Sequence, residues 1–155
     1  MLQEKIKKDL DGALKSGDKE KVSVLRMLWA SLQDKEKKKK YELSLNNEEV
    51  FLSEEEVIDI ITSEAKKRRE SIKEFRAGQR EDLVVKEEAE LKILADYLPE
   101  PVSEDDLIDI IKEVIKEMGV KDQKELGKVM SAVMSKVKGR ADGGDVIRIA
   151  KGLLS

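Results

Sequence analysis

The residues best suited to chemistry are cations. Lys136, Lys138 and Arg140 crowd one short stretch, Lys136-Val137-Lys138-Gly139-Arg140-Ala141-Asp142-Gly143-Gly144. The pattern predicts one helix ending at Gly139 and another starting at Asp142, which sets the three basic side chains beside a helix N-terminus. Unpaired backbone N–H groups at such an end attract anions, and Gly143 and Gly144 would let a phosphate approach closely. A tight turn accounts for the same residues, with Lys138 and Arg140 complementing the C-terminal dipole of the preceding helix. Residue chemistry leaves both readings standing.

A second cluster is found where charge interrupts an apolar stripe. One long helical segment presents Ile58, Ile61, Ala65, position 68, Ile72 and Phe75 along one face, and position 68 is Arg. The returning segment presents Val84, position 87, Leu91, Leu94 and Leu98, and position 87 is Glu. Folding the two segments about Gly78-Gln79-Arg80-Glu81 brings Arg68 level with Glu87 and Glu90. The expectation is an ion pair inside the helix interface that fixes the register of the hairpin. A charged pocket for a ligand or partner is the functional alternative.

Other chemistry finds little support. The chain has neither His nor Cys, which removes imidazole acid–base work, thiolate nucleophiles, disulfides and the usual transition-metal ligands. Residues 81–117 carry 13 Asp/Glu against four Lys/Arg. A glycosidase pair there would need aromatic sugar platforms, and one Trp, two Tyr and two Phe are scattered over 155 residues. A Mg²⁺ site would need a purposeful carboxylate cluster and substrate phosphates. No nucleophile elbow, P-loop or dinucleotide fingerprint is present. Neither a catalytic residue nor a metal or cofactor is therefore assigned.

Charge is segregated behind a net of −3: residues 118–155 carry eight Lys/Arg against four Asp/Glu. A basic C-terminal piece on an acidic chain points to nucleic acid more than the overall pI does. The first residues lack the apolar core of a signal peptide, and no apolar run approaches the roughly 20 residues that span a bilayer. A cytoplasmic chain that does not enter a membrane is expected.

The elements that must position these residues are all helices. Aliphatic residues, Lys and Glu dominate, a mix suited to helices with aliphatic cores and charged outer faces. A first helix is predicted over 3–15, with Ile6, Leu10 and Leu14 inward and Gly17 at its end. Asp18 caps a second, with Val22, Leu25, Trp29 and Leu32 inward, running into Lys35-Glu36-Lys37-Lys38-Lys39-Lys40, which is too polar for burial. A mobile linker through Asn46-Asn47 follows. Ser53 and Glu56 form a capping box for a helix over 54–77, and its partner runs from Asp82 to Leu98, an antiparallel hairpin of about 54–98. Pro99 and Pro101 break the chain.

Beyond them, three short helices are capped by Ser103 with Asp106, Asp122 with Glu125, and Asp142. Their inward stripes are Leu107, Ile111, Val114 and Met118; then Leu126, Val129, Met130, Val133 and Val137; then Val146, Ile147, Ala150 and Leu153. The expected architecture is all-α and multihelical: an N-terminal helical domain (1–98) carrying the long hairpin, then a small three-helix C-terminal domain (102–155).

Across this framework the chain resembles the free-standing GatB/YqeY-domain proteins. The hairpin carries Lys67-Arg68-Arg69-Glu70-Ser71-Ile72, Phe75, Ala77-Gly78, Asp82-Leu83, Lys86-Glu87, Glu90-Leu91 and Tyr97-Leu98-Pro99. Val24-Leu25-Arg26 with Leu32 precedes it, and Gly127-Lys128-Val129-Met130 through Lys138-Gly139-Arg140-Ala141-Asp142-Gly143 closes the pattern. The same domain ends the B subunit of the glutamine-dependent aspartyl/glutamyl-tRNA amidotransferase, where Asn and Pro usually stand in place of Asp142 and Gly143.

In that enzyme the domain helps hold tRNA while other parts do the chemistry. The resemblance therefore implies a non-catalytic accessory module, akin to carbon–nitrogen ligases with glutamine as amide donor. Its implied partner is tRNA or another structured RNA, contacted by Lys128, Lys136, Lys138, Gly139, Arg140, Asp142 and Gly143. The alternative is a protein-interaction module in translation, docking an amidotransferase, synthetase or ribosome-associated protein through the hairpin face.

Overall fold

The computed structural model describes residues 1–43 and 49–154; the linker expected through Asn46-Asn47 lies outside the described residues. Among the described residues every regular element is helical. The chain divides into two compact units, Met1–Leu98 and Pro99–Ser155.

The first unit holds α1 (Leu2–Ser16), α2 (Lys19–Glu42), α3 (Glu54–Ala77) and α4 (Glu81–Ala95). Gly17 ends α1, and the Asp18 side chain caps α2 by accepting from the Lys21 amide. Ile6 and Leu10 are buried as expected, but the third inward residue of α1 is Ala13, and Leu14 is exposed. In α2 the buried face is Val24, Leu25, Leu28 and Leu32; Val22 and Trp29, expected at its centre, lie on its half-buried flank. Adjacent apolar pairs such as Leu28-Trp29 offer two helical phases, and the packing partners select between them.

The lysine run is not wholly solvated. α2 continues through it, and Lys39 reaches back to donate to the Phe51 carbonyl (3.1 Å) and to Glu56 (2.8 Å). Glu56 also accepts from the Ser53 amide, while the Ser53 hydroxyl accepts from the Glu56 amide, closing the capping box of α3. The hydrogen bond from Lys39, then that from the Ser53 backbone, holds the Glu56 carboxyl below its ordinary range. Near α4, Tyr97 is buried and donates its hydroxyl to Asp9 of α1. Burial, reinforced by Asp9, pushes that phenol upward.

α3 and α4 form the antiparallel hairpin. α3 stops at Gly78 as expected, with φ −84° there, and the left-handed residue of the turn is Gln79, at φ 58°. The Arg80 amide closes the turn onto the Phe75 carbonyl at 2.8 Å. Val57, Ile61, Ala65 and Ile72 of α3 are buried, as are Val84 and Leu94 of α4. Between them Arg68 lies with Nη1 3.1 Å from Glu87 and also in contact with Glu90. The three side chains are only 9–19% exposed, and Glu90 is a buried charge on an otherwise apolar face. The Arg68 Nε is buried without a hydrogen-bond partner, and Met27 Sδ of α2 lies 3.9 Å from Nη2.

The second unit holds α5 (Glu104–Met118), α6 (Leu126–Lys136) and α7 (Gly143–Leu154). Ser103 caps α5 through the Asp106 amide. Leu107, Ile111 and Val114 are buried, whereas Met118, expected inward, is 41% exposed in the last turn, beside the left-handed cap at Gly119. Asp122 caps a 3-10 turn, Gln123–Glu125, so α6 starts three residues later than expected. In α7 the core residues are Val146, Ile149, Ala150 and Leu154; Ile147 and Leu153 lie on the rim. Pairs of neighbouring aliphatics again permit either phase.

Two measurements probe this framework. Replacing Arg68 by Met leaves Glu87 facing the buried Glu90 without a cation, and urea unfolding should show a loss of about 3 kcal/mol. The double variant Arg68→Met/Glu90→Met should recover most of that loss, because one carboxylate alone can turn to water. For Glu56, a depressed carboxyl adds stability that is present above its ordinary value and lost as pH falls below it. Glu56→Gln should therefore cost about 1 kcal/mol near neutral pH, and the gap from the wild type should close in acid melts below about pH 4.

Candidate nucleic-acid interface

The basic stretch forms the connection between α6 and α7. α6 stops at Lys136, three residues before the expected Gly139, because the Val137 amide makes the last helical bond, to Val133. Val137 itself is fully buried and anchors the turn in the core. Gly139 takes a left-handed φ of 69°, which a side chain would resist. That conformation brings the Arg140 amide onto the Val137 carbonyl at 2.7 Å.

Arg140 is then held from a second side. Its carbonyl accepts from the Val102 amide (2.8 Å), and its guanidinium Nε donates to the Glu100 carbonyl (3.1 Å). The guanidinium thus satisfies a carbonyl ahead of α5 rather than the end of α6. Lys136, Lys138 and Arg140 are all exposed. Lys136 lies 3.7 Å from Glu117, a pair about half exposed on both sides that adds little stability.

Asp142 does what its position foretold. Its carboxylate accepts from the Gly144 amide at 2.8 Å, and its carbonyl accepts from Asp145 and Val146. The N-terminus of α7 is therefore occupied by a carboxylate of its own, which opposes an incoming phosphate at that point. A Cβ on Gly143 would meet nothing within 4 Å, and one on Gly144 would meet only Asp142 Oδ1, at 3.3 Å. The positive groups exposed at this turn are the basic side chains, and Gly139 and Asp142 shape the backbone that carries them.

Lys128 is not brought into this group. It lies in the first turn of α6, 3.9 Å from Glu125 and about 12 Å along the helix from Lys136. One cation of this unit escaped the sequence reading. Arg148 of α7 is exposed and reaches Glu104 (3.0 Å) and Asp145 (3.8 Å). Its spacing from Asp145 was a legible signal, but Glu104 lies 44 residues away.

Among the described residues no helix is long and apolar enough to cross a membrane. The protein of Pyrenophora tritici-repentis named "Altered inheritance of mitochondria protein 41, mitochondrial" is 31% identical over 140 residues, covering 88% of this chain and 71% of that protein. Proteins of the same name from Candida glabrata and Saccharomyces cerevisiae are each 30% identical, over 115 and 112 residues. Those alignments cover 73% and 72% of this chain and 59% and 55% of the relatives. The family model described as "Yqey-like protein" matches residues 3–154. A match of that extent shows that this chain belongs to the YqeY-like protein family, which is related to the C-terminal region of GatB.

Proposed function

We propose that this chain is a non-catalytic accessory module that binds tRNA or another structured RNA through its second unit. The observation that carries the reading is the α6–α7 turn. Lys136, Lys138 and Arg140 are exposed within five residues, on a backbone pinned by Val137, Glu100 and Val102. A rigid arc of cations suits a phosphate backbone recognised by shape rather than by base sequence. Kinship with the amidotransferase B subunit supports the choice of tRNA. In that scheme the module holds a substrate while another polypeptide, using glutamine as amide donor, forms the carbon–nitrogen bond. Lys128 extends the contact along α6, and Gly139, Asp142 and Gly143 set the shape of the turn. Action in the cytoplasm belongs to the same reading; the fungal relatives carry mitochondrial names.

Filter binding of tRNA across a salt series tests this. The wild-type affinity should fall linearly on a log–log plot. A Lys136→Ala/Lys138→Ala/Arg140→Ala variant should bind more weakly, with the slope reduced by about three, roughly one for each lost phosphate contact. Equal affinity and slope for wild type and variant would overturn the site. If partners instead survived nuclease treatment in a pull-down and tRNA failed to bind, the chain would be a protein-docking module.

A further inference from the structure

Leu14 is the one inward-predicted residue of α1 that the fold turns outward, and it is not alone on the surface. It lines an open groove of about 580 Å³ between the end of α1 and the first turns of α2. Leu14 is 46% exposed and Met27 of α2 is 55% exposed, and half-buried Val22 completes the apolar part of the lining. Single apolar side chains on a surface are ordinary, but apolar residues gathered along one groove mark a contact surface.

The charge on this groove has one sign. Its charged lining residues are Lys19 and Arg26, with no carboxylate among them. Both are exposed, and neither forms an ion pair among the described residues. By contrast, Lys7, Lys67, Arg76 and Arg80 of the same unit each have a carboxylate at 3.0–3.4 Å. Exposed Lys37 continues the pattern along α2. At about 100° per residue, Lys19, Arg26 and Lys37 share one line to within about 20°. The carboxylates of α2, Glu20, Asp34, Glu36 and Glu42, lie about 60° or more from it.

Lys19 and Arg26 are two helical turns apart, about 10 Å along one face. That is the repeat at which a second α-helix presents equivalent side chains. An apolar floor with cations at helical spacing suits helix-in-groove recognition, with the opposite charge on the incoming helix. A phosphate backbone would satisfy the cations but would bring no apolar surface to Leu14 and Met27. The unbranched Met27 side chain can adapt to apolar anchors of different shape.

We propose that the outer face of α2, together with Leu14 of α1, docks an acidic amphipathic helix of a partner protein. Its apolar side chains lie on Leu14, Val22 and Met27, and carboxylates two turns apart meet Lys19 and Arg26. This surface lies on α1 and α2 rather than on the hairpin face, and it does not rest on the RNA-binding reading.

The full chain is titrated into a fluorescein-labelled helical peptide with leucines at i, i+4 and i+7 and glutamates on both flanks, and anisotropy is read. A second peptide carries lysine in place of each glutamate. The acidic peptide should bind one-to-one and lose affinity as salt is raised, and the basic peptide should bind more weakly. Lys19→Glu/Arg26→Glu should weaken the acidic peptide by about tenfold or more, the loss of two exposed ion pairs, and should strengthen the basic one. Leu14→Ser should weaken the acidic peptide without changing its salt dependence. Lys35→Glu/Lys38→Glu makes the same change of net charge at exposed sites on another face of α2 and should bind like the wild type. All these variants should keep the helical circular dichroism of the wild type.

Equal binding of the two peptides would overturn the proposal. So would a Lys35→Glu/Lys38→Glu chain that loses the acidic peptide as fully as Lys19→Glu/Arg26→Glu does. If tRNA binding fell in Lys19→Glu/Arg26→Glu and no acidic peptide bound the wild type, the face would belong to nucleic acid. If mass rose with protein concentration in the wild type but not in that variant, again with no peptide bound, it would belong to a second copy. Either result overturns the docking of an acidic helix.

Discussion

A single guanidinium facing two carboxylates across the α3–α4 interface constrains the first unit more than any apolar contact does. Aliphatic surfaces are permissive: α4 could slide by a turn along α3 and still bury leucine and valine. Arg68 removes that freedom. A shift of four residues would set it opposite Leu83 and Lys86, or Leu91 and Leu94, and leave its charge unmatched. That penalty is several kcal/mol, comparable with the net stability of a small domain. The pair therefore acts against wrong registers more than it stabilises the right one. With two carboxylates and one cation the cluster keeps a net negative charge, and the unpartnered Arg68 Nε adds to the cost. Met27 touching the same guanidinium ties α2 to the fixed hairpin.

How much of this was legible follows from the range of each interaction. Caps and stops are local chemistry, so Asp18, Ser53 with Glu56, Ser103 and Asp142 all cap as their positions suggest. The Arg68 cluster was legible because a hairpin with a short turn makes distant residues countable. Stripes failed where apolar residues sit side by side, as in Leu28-Trp29 and Leu153-Leu154, since either phase satisfies a helix and only the neighbours choose. The hairpin turn was legible as local chemistry, since α3 stops at Gly78 and α4 begins at Glu81; its left-handed residue, Gln79, had no signal of its own. The basic turn was readable as a cluster of cations, but its rigidity was not. The Glu100 carbonyl that holds Arg140 lies 40 residues earlier.

The perturbed ionisable groups each have a structural explanation. Glu56 is lowered by its cap contacts and Lys39, and Tyr97 is raised by burial beside Asp9. Asp82 is lowered by the hydrogen bond from Arg80, whose own affinity for its proton rises in return. Acid–base catalysis works through groups tuned against each other across a shared cavity. These groups are instead spread over a helix start, a core edge and an exposed turn, where each holds backbone or helix in place.

The second unit treats charge differently. Asp142 spends a carboxylate on the N-terminus of α7, where a phosphate-binding loop would leave the amides bare. Val137 below and Glu100 beside then hold the turn without help from a ligand. The backbone that carries the cations is held within the unit, while the exposed lysine side chains keep their rotamer freedom. A preformed arc cannot adapt to different bases, and long lysine side chains carry no base-reading geometry. In the proposed RNA-binding role, discrimination by such a surface would come from where phosphates lie in a folded partner.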